Sequence, residues 1–101
     1  MGMDYVWSGS ASYGRFEIEL MEIAKIFGGQ RRIRRPIFIF PDGTNEILVK
    51  WFNNVYGDFT KEETKIIWSL ISAHPEIKEI SLQIWNELEK CVEFESGWYI
   101  H

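Results

Sequence analysis

Ile37-Phe38-Ile39-Phe40-Pro41-Asp42-Gly43-Thr44-Asn45-Glu46-Ile47-Leu48-Val49-Lys50-Trp51-Phe52 is the stretch whose reading decides the fold. Residues 37–40 are β-branched or aromatic throughout. Pro41-Asp42-Gly43-Thr44 is turn chemistry: Pro presets φ, Asp caps, and Gly supplies positive φ. Ile47–Phe52 reads as a second strand, so the stretch predicts a β-hairpin. Both strands are apolar on both faces, which places them centrally in a sheet. Pro36 lacks an amide donor and suits the beginning or edge of the first strand.

Toward the N-terminus, Phe16, Leu20, Ile23 and Phe27 follow one another at spacings of four, three and four, one helical stripe. Glu17 and Glu19 lie near its start and Lys25 near its end, as the helix dipole favours. Gly28-Gly29 is a stop signal. Phe16, Ile18 and Leu20 also alternate as in a strand, but the longer pattern reaching Phe27 favours helix. Residues 3–8 suggest a short first strand, and Ser8–Ser12 a loop of small residues.

Toward the C-terminus, Asn53-Asn54 and Gly57 mark a loop. Thr60-Lys61-Glu62-Glu63 is a capping box. Ile66, Ile67, Leu70 and Ile71 form a second helical stripe with Trp68 on its flank, ended by His74-Pro75. Ile80, Leu82 and Ile84 alternate, which predicts a strand over about 78–85. Ile77, Ile80, Ile84, Leu88 and Cys91 fit a helix equally. Trp98 and Ile100 suggest a final extended segment across Gly97. The resulting order is β-α-β-β-α-β plus a terminal extended piece. That is a ferredoxin-like α+β arrangement with two helices on one face of an antiparallel sheet. The alternative is three helices with a small sheet.

The chain has 101 residues, 46% of them hydrophobic, including five Trp, four Tyr and seven Phe. That suffices for a single globular domain over 1–101 with a packed core, without a cofactor, metal or disulfide. The lone Cys91 has no partner for an internal disulfide, which fits a reducing, cytoplasmic setting. Met1–Ser10 has no basic region followed by an apolar run, as a secretory leader would. No apolar run approaches the roughly 20 residues that span a bilayer, so no membrane association is expected.

Net charge is −4, from eleven basic and fifteen acidic residues. Four of the positives, Arg31, Arg32, Arg34 and Arg35, fall within five positions. Without them the balance is seven against fifteen, or −8. The surface is therefore expected to be acidic with one basic spot. Arginine forks suit phosphate and carboxylate, so the cluster is a candidate anion-binding patch. Its plainer role is a solvated strand edge paired with surface glutamates.

Tryptophan is enriched at binding hot spots. Most of Trp7, Trp51, Trp68, Trp85 and Trp98 are expected in the core, and Trp98-Tyr99 is the pair expected to be exposed for binding. Glu87, Glu89, Glu93 and Glu95 read as an acidic strip or simply a solvated face. His74 suits a helix end, and Cys91 a buried, inert thiol. Two histidines, His74 and His101, with one cysteine lack recognisable zinc spacing. Gly28-Gly29 is neither a dinucleotide fingerprint nor a P-loop. Residues 47–52 lack the glycine–aromatic alternation of an RNA-recognition strand.

The expectation is a small acidic, non-catalytic protein-binding module: an inhibitor, an antidote or immunity-type protein, or a regulatory partner. The alternative is an anion or nucleic-acid binder acting through arginines 31–35.

Overall fold

The computed structural model describes residues 2–100. Met1 and His101, weighed above in the leader and zinc readings, lie outside them. The chain is α+β, with five helices and two small antiparallel sheets among the described residues. In order these are β1 (Gly2–Asp4), β2 (Ser10–Ser12), α1 (Tyr13–Ile26), β3 (Gln30–Arg31), β4 (Phe38–Ile39), α2 (Glu46–Asn53), α3 (Lys61–Ile71), α4 (Glu76–Ile80) and α5 (Leu82–Glu93). β1 pairs with β2, and β3 with β4. The ferredoxin-like order is not the one found. Helices carrying small sheets, the alternative, lie closer to it.

The decisive stretch departs from the expected hairpin in its second half, where residues 46–53 are helical. Thr44 donates its N–H to the Pro41 carbonyl, so the turn forms as its chemistry dictates. It leads, however, into a helix. The Asn45 side chain accepts from the N–H groups of Ile47 and Leu48 and caps α2. Leu48, Trp51, Phe52 and Val55 are buried at spacings of three, one and three, a helical face. The strand Phe38–Ile39 pairs instead with Gln30–Arg31 across the loop 32–37. Ile39 is consequently exposed and Val49 half-buried, where a central hairpin required both inside.

The second correction concerns 78–85, which holds the end of α4 and the start of α5 in place of a strand. Ser81 separates α4 from α5 and caps α5 by accepting from the Ile84 N–H. Ile77, Ile84, Leu88 and Cys91 then share a buried stripe. At the N-terminus the strand is shorter than residues 3–8, and its partner is the segment read as a loop, Ser10–Ser12. Tyr5 bridges to Ile100, so the terminal extended segment exists.

Two helices form as their signals specify. α1 starts at the Ser12 cap and ends in a Schellman motif. The Gly28 N–H reaches the Lys25 carbonyl, the Gly29 N–H reaches that of Ala24, and Gly28 takes a φ of 77°. The α3 capping box is complete: Glu63 N–H donates to Thr60 Oγ1, and Thr60 N–H to Glu63 Oε1. That second bond, and then Lys50 beside it, lowers the Glu63 carboxyl below its ordinary value.

α3 packs on α5 and on α2, while α1 packs on α4, β2 and β3. Between them runs a chain of aromatic contacts, from Phe16 to Tyr5, Trp98, Trp51 and Phe52.

Asn45→Ala should cost about 1 kcal/mol in a urea titration by removing the α2 cap. A change within error would mean that residues 46–53 do not need that cap and the helix assignment fails.

Candidate functional site

The four arginines occupy the exposed tip of the β3–β4 hairpin, and they differ in what they do. Arg31 is fixed: one guanidinium nitrogen lies 3.2 Å from Glu17 Oε2, the other 3.4 Å from Met21 Sδ. Arg32 is spent on the loop itself, donating to the carbonyls of Pro36 at 3.2 Å and Arg35 at 3.0 Å. The Arg34 and Arg35 side chains make no hydrogen bond or ion pair among the described residues. Ile33, between them, is fully exposed. The Arg35–Pro36 peptide is cis.

The tip overhangs a cavity of about 320 Å³. Leu20 of α1, Phe38 of β4, Phe52 of α2 and Val55 beyond it supply apolar wall. Arg31, Arg35 and Glu17 supply charge. Asn53 holds the wall in place. Its Oδ1 accepts the Phe38 N–H at 2.8 Å, and its Nδ2 donates to the carbonyls of Phe38 and Val49. This amide stands in for the neighbouring strand that β4 lacks on that side. Tyr56 also lines the cavity; burial, and then the Glu17 carboxylate, raises its phenol above the ordinary value. A more open groove is lined by Arg31 with Met21, Arg32, Ile33 and Ile37.

Trp98 does not belong to this surface. It is fully buried, against the expectation of exposure, and Tyr99 is half-buried. The Trp98 indole N–H donates to the Val55 carbonyl at 2.8 Å and its backbone N–H to Thr64 Oγ1 at 2.9 Å. The exposed tryptophan is Trp7, stacked on Phe94 at 4.7 Å.

The acidic strip also divides. Glu87 is buried, and its carboxylate accepts the N–H groups of Val6 at 3.1 Å and Trp7 at 2.8 Å. It pins the β1–β2 turn to α5, helped by Gln83, which donates to the carbonyls of Ser8 and Ser10. Glu93 and Glu95 are surface carboxylates facing Lys90 and Lys65. The nearly buried Glu19 accepts from Ser81 Oγ at 2.8 Å and from Arg15, tying α1 to the α5 cap. The sequence marks Glu19 as a helix-start charge and Glu87 as part of an acidic strip, not as buried; the trace of their burial is a position on an otherwise apolar helical face.

α3 ends at Ile71 with Ser72 as its cap, earlier than His74-Pro75; the His74 backbone N–H reaches the Ile71 carbonyl, and its ring packs edge-on against Phe27. Among the described residues no three His, Cys, Asp or Glu are grouped to hold a metal ion. No described helix is long and apolar enough to cross a membrane. No family model, curated protein or solved structure matches this chain.

Cys91 sits beneath Glu87, its sulfur 3.7 Å from the carboxylate. Burial, and then that charge, pushes the thiol up to about 12. Burial, and then Glu19 and Glu87, raises the Tyr5 phenol well above its ordinary range. Its buried hydroxyl has no hydrogen-bond partner among the described residues. Both groups hold their protons more tightly folded than unfolded. The stability they contribute is complete below the unfolded thiol value of about 8.5 and is lost as pH rises from there. Cys91 should therefore resist a disulfide reagent at pH 8 until urea unfolds the chain, and the urea midpoint should fall between about pH 9 and 12. Reaction of the native protein at the rate of a free thiol would contradict the burial of Cys91.

Proposed function

We propose that this chain is a small, non-catalytic module that binds an acidic protein partner through the β3–β4 tip. The observation that carries the reading is a fully exposed Ile33 set among four arginines, two of them unengaged. Arginine is the residue of hot spots, and an apolar contact ringed by charge fits a partner surface of opposite sign. Arg32 ties the tip to its own backbone. The loop is thus ordered before binding and loses less entropy when it docks. The remainder of the chain carries a net −8 once these four positives are removed. That charge repels a long polyanion beyond a Debye length of about 10 Å from the tip. A compact acidic patch on a protein meets only the tip.

The test is retention from nuclease-treated extract of the source cells on immobilised protein. Wild type is compared with the Arg34→Glu/Arg35→Glu double variant and with Ile33→Ala. Both substitutions lie on exposed side chains and should leave stability within about 0.5 kcal/mol. Wild type should retain one stoichiometric protein in a salt-sensitive manner. The charge-reversed variant should lose it, and Ile33→Ala should retain less. Recovery that disappears with nuclease, or micromolar, salt-sensitive oligonucleotide binding by wild type, would replace this reading with that of a nucleic-acid binder. An identical set of proteins on wild type and double variant would remove the tip from function.

A further inference from the structure

We propose that the cavity beneath the tip is a binding site for a small apolar monoanion, a carboxylate on an alkyl or aryl body. The proposal goes beyond the partner reading, since it needs no second protein.

The cavity's charge selects one negative group. Two guanidiniums line it, but Arg31 is already neutralised by Glu17. Arg35 is left as a single uncompensated positive charge at the rim, free to form the bidentate pair that guanidinium makes with carboxylate. With Glu17 and Arg31 paired, the lining offers one uncompensated positive charge, which matches a monoanion and leaves the second charge of a phosphate ester without a partner.

The walls select the rest of the ligand. Leu20, Phe38, Phe52 and Val55, each 5% exposed or less, present only apolar edges to this space. Asn53, which also lines the space, has its amide committed to Phe38 and Val49 and offers little to a ligand; Asn54 is the other amide in the lining. Tyr56, whose raised phenol stays protonated at neutral pH, is a hydrogen-bond donor for the carboxylate. At about 320 Å³ the space matches the lower end of small-molecule sites, roughly 300–1,000 Å³.

The experiment titrates the purified full chain with octanoate and, separately, octanamide, following methyl resonances of Leu20, Ile37 and Val55 by NMR. Octanoate should produce saturable shifts at these methyls, and octanamide should bind about tenfold more weakly or worse, for lack of the charge-assisted pair. Arg35→Gln should weaken octanoate by a similar factor. Arg34→Gln removes the same charge from a residue that does not line the cavity, and should change affinity less than about twofold. Three results would each overturn the proposal: octanamide binding as well as octanoate, Arg34→Gln costing as much as Arg35→Gln, or no saturable shift at millimolar octanoate.

Discussion

Trp98 is the residue on which the rest of the structure depends. Its side chain is fully buried and its polar groups are paired. The indole N–H meets the Val55 carbonyl, the backbone N–H meets Thr64 Oγ1, and the carbonyl accepts the Phe59 N–H. Its ring packs edge-on against Trp51 at 5.3 Å and Tyr5 at 6.2 Å. One residue, through its ring and its backbone together, thus joins the end of the chain to the exit of α2, the first turn of α3 and Tyr5 beyond β1. Satisfied buried polar groups make such a junction specific as well as stable, because any displaced arrangement leaves a donor unpaired. Gly97 permits it: its φ is 73°, and a Cβ there would collide with the Phe59 carbonyl.

The junction also holds the walls of the cavity beneath the arginine tip. Val55 accepts from Trp98 and lines the cavity, and Phe52 packs on Trp51 from the same helix. One wall is therefore held from behind by the core, and the other by the Asn53 clasp on Phe38. The arginine tip stands outside this framework, with its charges in solvent. Substitution there costs folding little, which is the usual division between a scaffold and its loops.

How much of this was legible in the sequence follows from which signals are local. The α3 capping box and the α1 stripe with its Gly28-Gly29 stop are contacts between near neighbours, and both form. The run 47–52 was ambiguous because α2 is apolar on more than one side: Ile47 and Val49 are half-buried beside the buried Leu48, Trp51 and Phe52. A six-residue run cannot separate period 2 from period 3.6 when both faces are filled. Asn45 carried the missing signal, being a capping residue as much as a turn residue. Across 78–93 the helical stripe competes with the strand-like alternation of Ile80, Leu82 and Ile84. Ser81 as a cap resolves it. The arginines are contiguous and could be read directly. The cavity beneath them is assembled from α1, β4 and α2, and the burial of Trp98 rests on partners 34 and 43 residues away. No local pattern announces either.

Native-state hydrogen exchange on Trp98→Phe tests the central role of this residue most directly. The substitution removes the indole hydrogen bond and leaves a void, together worth at least about 2 kcal/mol. The account predicts that protection falls by that amount together in α2, in the first turn of α3 and at Tyr5. Loss of protection confined to residues 97–100, with α2 and Tyr5 unchanged, would contradict it.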